Sequence, residues 1–211
     1  MAKLYFRYSA MNAGKSTALL QVAHNYEENE RRVLIYTSEY DHRYGVGLVT
    51  SRLGPQRDAV PFNAETNFYE AIASERGISC VLVDEAQFLQ VEQVKQLHRA
   101  AHVLGVPIIC YGLRSDFRGE PFPGAAHLLT VADSLEELKT ICNCGRKATM
   151  NVRVDEGGNR ITAGEQIAIE GDVRYVQMCG ACFYRTETPA GPSELVRSGT
   201  DAAYTRSSRM R

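Results

Sequence analysis

Three groups of residues in this chain have types and spacings that do chemistry. The first is Ser9-Ala10-Met11-Asn12-Ala13-Gly14-Lys15-Ser16. Its Gly-Lys-Ser end is that of a phosphate loop, in which backbone N–H groups at a helix N-terminus surround an anion. Lys15 then bridges the outer phosphates of a nucleoside triphosphate, and Ser16 holds a magnesium ion. Thr17 adds a second hydroxyl. The strict pattern has Gly where this chain has Ser9, but the amides of residues 12 to 16 do most of the cradling. The alternative is an accidental Gly-Lys-Ser, and the position between an apolar strand and a helix argues against it.

The second group is Asp84-Glu85, which follows the apolar run Val81-Leu82-Val83. A buried strand that ends in Asp84 delivers this acid to the magnesium ion held by Ser16. Glu85 beside it is placed to polarise a nucleophile. Water as nucleophile makes an ATPase, and a substrate hydroxyl makes a kinase. Two solvated acids at a strand end are the alternative, weakened by the phosphate loop.

The third group is Cys142-Asn143-Cys144 and Cys179-Gly180-Ala181-Cys182. Four thiolates suit a tetrahedral structural zinc site with no open position for water. The second pair has the common two-residue spacing, and the first is one residue tighter. Unliganded thiols are the alternative. Cys80 and Cys110 lie in apolar strands and read as core residues.

These residues need a scaffold that brings them together. Lys3 to Tyr8, Arg32 to Thr37, Ile78 to Val83 and Val106 to Tyr111 read as buried strands. Lys15 to about Glu28, Asn67 to Glu75 and Val91 to Leu104 read as helices, the last from apolar residues at 91, 94, 97, 101 and 104. Alternating strands and helices imply a parallel sheet covered on both faces, with ligands at the carboxyl ends of its strands. Ser38 to Pro61 reads as a long functional loop, and a Gly/Arg/Pro loop runs to about Gly124. After Cys142, short strand-like pieces and Gly-rich turns continue to about Arg185. The expected division is an ATP-binding α/β domain at 1–140, a zinc-binding domain at 141–188 and a disordered tail at 189–211.

Composition fits a soluble globular protein: 44% of the 211 residues are hydrophobic and 23% are charged. The net charge of −1 gives no case for nucleic acid. No apolar run approaches the roughly 20 residues of a membrane span, and residues 1 to 6 lack a signal peptide's apolar stretch. The chain is therefore expected in the cytoplasm, where six cysteines stay reduced.

Taken in order, Ser9 to Thr17, Asp41-His42-Arg43-Tyr44, Asp84-Glu85-Ala86-Gln87-Phe88, Tyr111-Gly112-Leu113-Arg114-Ser115-Asp116-Phe117 and the paired cysteines resemble the type II thymidine kinases. The likeness runs from about Lys3 to Arg185. Tyr8 to Lys15 and Thr140-Ile141-Cys142 particularly resemble the enterobacterial type. The resemblance implies a RecA-like parallel sheet flanked by helices, with a small zinc-ribbon-like "lasso" domain. It implies ATP-dependent phosphorylation of the thymidine 5′-hydroxyl, with Mg²⁺ accompanying ATP and a structural Zn²⁺ on Cys142, Cys144, Cys179 and Cys182. Glu85 matches the general base and Asp84 the magnesium-linked acid. Residues 9 to 16 with Asp84, Glu85, Ala86 and Gln87 match the ATP site. Asp41 and Arg43 match positions near sugar and phosphates. Met11, Phe88, Leu113, Phe117 and Phe122 match the walls around the nucleoside, and Gly171 and Tyr175 lie in the lasso. A homotetramer and feedback inhibition by dTTP are also implied.

Without that likeness, core packing is the alternative for Phe117 and Phe122, weakened by their polar, Gly/Pro-rich loop, and Asp41 with Arg43 reads as a surface ion pair of little consequence. His98 and His102 share one helix face and read as helix surface. Two other functions fit the phosphate loop: a RecA-like ATPase acting on nucleic acid, and a non-catalytic nucleotide sensor. The first requires a basic groove, which the balanced charge does not supply.

Overall fold

A computed structural model of the chain describes residues 1–41, 45–166 and 174–185. Its core is a six-stranded sheet formed by β1 (Leu4–Ser9), β2 (Arg32–Ser38), β5 (Val60–Phe62), β6 (Ile78–Val83), β7 (Ile108–Leu113) and β8 (Ser134–Glu137). The strand order is β5-β2-β6-β7-β1-β8, and every pairing in it is parallel. One strand, β7, thus separates β1 from β6. The central strands are continuous apolar runs because both of their faces are buried. In β6, Val81 and Val83 point to one core and Cys80 and Leu82 to the other.

Helices α2 (Phe68–Ser74), α3 (Val91–Val103) and α4 (Pro123–Val131) cover one face, where Phe68, Ile72, Val94, Leu97, Ala125 and Leu128 pack on Phe6, Val81 and Ile108. Helix α1 (Lys15–Glu27) covers the other with Leu19, Leu20 and Ala23. The helix starts have identifiable causes. Asn67 accepts from the Glu70 N–H at the start of α2, Gln90 and Gln93 form a capping box on α3, and Pro123 occupies the first turn of α4.

The expected parallel α/β sheet is present, with additions. The segment read as one loop, 38–61, contains a hairpin of β3 (Leu48–Thr50) and β4 (Gln56–Asp58), followed by edge strand β5. Helix α4 and strand β8 lie where no element was expected.

The cysteine-bearing part is built from β9 (Thr140–Ile141) paired with β10 (Lys147–Ala148), and from a sheet of order β12-β11-β13. Its strands are β11 (Met150–Val154), β12 (Arg160–Ile161) and β13 (Arg174–Met178), and the short helix α5 (Gly180–Phe183) follows. Val152, Val154, Met178 and Phe183 form a small apolar cluster with Cys142 and Cys179. These residues are scattered along the sequence and converge only on folding. Arg43, Gly171 and the tail expected at 189–211 lie outside the described residues. No helix among the described residues is long and apolar enough to cross a membrane.

Candidate active site

Strands β1, β2, β6 and β7 end at Ser9, Ser38, Val83 and Leu113. Because they run parallel, these ends share one edge of the sheet. A cavity of about 740 Å³ opens there, lined by residues 11–17, Asp41, Glu85, Gln87, Phe88, Leu113, Phe117, Phe122 and Tyr175 among others. That volume is within the usual range for small-molecule sites.

The phosphate loop turns from β1 into α1 through two left-handed residues, Asn12 at φ 60° and Gly14 at φ 78°. Asn tolerates this conformation better than most residues, and Gly takes it without steric penalty. Lys15 Nζ lies 3.3 Å from Ser9 Oγ and 3.4 Å from the Ala10 carbonyl oxygen. Ser9 Oγ donates to that same carbonyl at 2.7 Å. A hydroxyl at position 9 therefore braces the turn where the strict pattern has Gly.

Ser16 Oγ donates to Asp84 Oδ2 at 3.0 Å. Asp84 is buried, and this pushes its carboxyl up to about 7, with the adjacent Glu85 charge adding to the rise. The Glu85 N–H, Lys15 and Ser16 pull the other way. A buried carboxylate beside a hydroxyl is a hard oxygen donor set suited to magnesium.

Glu85 follows with φ 51° and ψ 37°, a left-handed conformation that costs a non-glycine residue roughly 1–2 kcal/mol. It stands at the head of a 3-10 turn, Ala86–Phe88, and lines the cavity. Gln87 Nε2 donates to Glu85 Oε2, and the Leu113 N–H donates to Gln87 Oε1 at 3.0 Å. Gln87 is thus anchored on β7 and in turn holds Glu85. The close approach needs Gly112, where an added Cβ would stand 3.0 Å from both Gln87 N and Oε1.

Of the residues expected at the site, Ser9, Ala10, Asp84 and Ala86 are buried behind the wall rather than lining it. Met11, Phe88, Leu113, Phe117, Phe122 and Tyr175 gather in the cavity with Asp41. Phe122 does both jobs weighed for it, since it also belongs to the main core and meets Phe88 at 5.9 Å between ring centroids.

Several participants carry no sequence signal. Asn151 is 2% exposed. Its Oδ1 accepts from the Met11 N–H at 2.8 Å, and its Nδ2 donates to the Ser115 carbonyl at 3.0 Å. Asn12 donates to Gln177 Oε1 at 2.8 Å. Both contacts tie the phosphate loop to strands of the cysteine-bearing part. The hairpin brings Thr50 to Leu53 to the cavity, and Ser51 Oγ lies 2.7 Å from Thr17 Oγ1.

The ligand atoms of Cys142, Cys144, Cys179 and Cys182 all lie within 4.8 Å of one another, and the Cys144 and Cys179 sulfurs are 3.6 Å apart. Zn–S bonds of about 2.3 Å in a tetrahedron give sulfur separations of about 3.8 Å, so the cluster fits a zinc site despite the tighter first pair. The Arg146 backbone N–H lowers the Cys144 thiol to about 7, and burial raises Cys182 to about 12. Cys80 and Cys110 are buried in β6 and β7, as expected. Burial raises both thiols, Cys80 to about 11. On the far side of the sheet His98, His102 and Asp133 also stand close. There Asp133 accepts from the Leu4 N–H at 2.8 Å and pairs with His102 at 3.0 Å, bracing the start of β1.

A sequence model of the family described as "Thymidine kinase" matches residues 2–183. The chain is 56% identical over 185 residues to a thymidine kinase of Chromobacterium violaceum, covering 87% of this chain and 99% of that protein. It is 57% identical over 182 residues to one of Idiomarina loihiensis, covering 85% and 94%. It is 53% identical over 182 residues to one of Yersinia pestis, covering 85% and 93%.

Proposed function

The chain belongs to the thymidine kinase family, and from that premise we propose how its residues carry ATP-dependent phosphorylation of the thymidine 5′-hydroxyl. The observation that carries the reading is the division of labour at the end of β6. Asp84 turns back to Ser16 in the phosphate loop, while Glu85 turns into the cavity and is held there by Gln87. The phosphate side and the acceptor side are thereby served by adjacent acids.

ATP lies with its phosphates on the amides of residues 12 to 16, and Lys15 neutralises the outer phosphates. Ser16 and Asp84 would hold a magnesium ion that screens charge on the transferring group. The nucleoside occupies the space among Met11, Phe88, Leu113, Phe117, Phe122 and Tyr175, with Asp41 at its edge, and the family resemblance adds Arg43 and Gly171 to the substrate-binding set. Glu85 accepts the 5′-hydroxyl proton as the oxygen attacks the γ-phosphorus, and the bond from that phosphorus to the bridging oxygen breaks with ADP as the leaving group. Positioning and charge neutralisation supply most of the acceleration, and the base adds less. The apolar walls exclude water, so the hydroxyl is the acceptor that reaches the phosphorus.

Zinc on the four cysteines would be structural, holding β9 and β10 against α5. We divide the chain into a nucleotide-binding part at 1–140, a zinc-binding part at 141–188 and a tail. A homotetramer and feedback inhibition by dTTP rest on the family resemblance, and a cytoplasmic location rests on the reading of the sequence alone. Sedimentation, dTTP titration and cell fractionation test them in turn. The nucleic-acid ATPase reading is not favoured: the family match and the balanced charge both weigh against it. The deciding experiment is ADP release with and without thymidine. Strong dependence on thymidine is expected, and equal release in its absence overturns the reading.

A further inference from the structure

Arg153 is a buried cation on β11, 4% exposed, whose partners among the described residues include no carboxylate. Its Nε donates to the Tyr175 hydroxyl at 3.0 Å, and its Nη2 donates to the Glu165 carbonyl at 3.0 Å. Its guanidinium carbon lies 3.9 Å from the Phe117 ring centroid and 5.4 Å from that of Tyr175. Cross-strand register sets Arg153 directly opposite Tyr175. The neighbouring positions 152 and 154 on the same strand are valines of the small apolar cluster. Burying a guanidinium that has no carboxylate partner among the described residues is costly, and an aromatic face with well-aligned acceptors offsets only part of that cost. Packing alone would be served at lower cost by an apolar residue.

Phe117 and Tyr175 have one thing in common besides Arg153: both line the cavity at the sheet edge. They come from distant parts of the chain, and a planar group that stacks on one ring while bonding the hydroxyl of the other fixes both at once. Arg does this with a rigid fork, and Lys, a point charge on a flexible stem, does not.

We propose that Arg153 is a positioning residue for the nucleoside, acting from behind the wall by locking Phe117 and Tyr175 into one surface. The inference rests on the reading that these two rings bound the nucleoside. It concerns KM for thymidine, because the wall is distant in role from the phosphate loop.

Steady-state kinetics of Arg153→Met, Arg153→Lys and Tyr175→Phe test it, each protein first checked by thermal melting. Arg153→Met is expected to raise the thymidine KM by about tenfold or more, with the ATP KM within about twofold. Tyr175→Phe removes only the hydroxyl; it is expected to raise the thymidine KM by about threefold in the wild-type background and not at all in Arg153→Lys. A thymidine KM within about twofold of wild type in both Arg153→Met and Tyr175→Phe overturns the inference, as does an equal rise in both substrates' KM. If Arg153→Met does not fold, additivity of Tyr175→Phe with Arg153→Lys overturns it. Phe117→Ala separates the two levels. An unchanged thymidine KM there sinks the pocket reading itself, whereas a raised one beside silent Arg153 and Tyr175 variants sinks only the role of Arg153.

Discussion

The side chain of Gln87 bonds Glu85 through its amide nitrogen and the Leu113 N–H through its oxygen, so the end of β7 fixes the acid at the end of β6. Replacing Gln87 by Leu keeps the volume and removes both bonds. The expected result is a fall in kcat of about tenfold or more with the ATP KM little changed, since a displaced base affects the transition state rather than nucleotide binding. Steady-state assays with both substrates varied check this. Unchanged kcat would mean that Glu85 needs no such brace.

Asp84 has a signature in stability. Its carboxyl sits at about 7 in the folded protein against an ordinary value of 3.8, chiefly through burial. The folded state therefore binds this proton more tightly than the unfolded state. The contribution to stability is fully present below about pH 4, is lost as pH rises toward 7, and is flat above that. Urea unfolding of nucleotide-free Asp84→Asn across that range is expected to remove this decline and to leave the variant more stable than wild type at pH 8. Parallel curves for the two proteins would contradict the assignment.

Asn151 satisfies two groups from distant parts of the chain, the Met11 N–H and the Ser115 carbonyl. Asn151→Ala leaves both without that partner, at an expected cost of about 1–3 kcal/mol. Urea midpoints measure this. The phosphate loop loses an anchor at Met11, so the ATP KM is expected to rise as well.

These residues mark how far the sequence could be read. The central strands were legible because burial on both faces demands unbroken apolar runs, as in Val81-Leu82-Val83. The phosphate loop and Asp84-Glu85 were legible because their chemistry is local. Strand β8 was not, because Ser134-Leu135-Glu136-Glu137 lies at a sheet edge and needs no apolar run. Helix α4 follows a Gly/Pro-rich loop that masked its start, although Pro123 is a fair first-turn signal. Gln87 was noticed within a motif, but its work depends on Leu113. Asn151 belongs to no motif. Its partners lie 140 and 36 residues away, and only folding reveals such pairings.

The cysteine cluster leads to a test by metal removal. The apolar cluster around it is small, and a core of that size depends on a metal or another cross-link for order. Elemental analysis is expected to find about one zinc per chain in the purified protein and much less in Cys179→Ser. Zinc loss is expected to raise the thymidine KM, because Tyr175 and Arg153 sit on the strands next to the site. Full activity in zinc-free protein would contradict this role.

The central claim is that Glu85, turned into the cavity from its left-handed position, takes the proton of the acceptor hydroxyl. Glu85→Gln preserves shape and removes the base. Rapid-mixing measurement of dTMP formation with saturating ATP and thymidine is the most direct test. The expected result is a transfer rate reduced at least about a hundredfold with ATP and thymidine binding retained. Near-normal transfer by the variant would contradict the account.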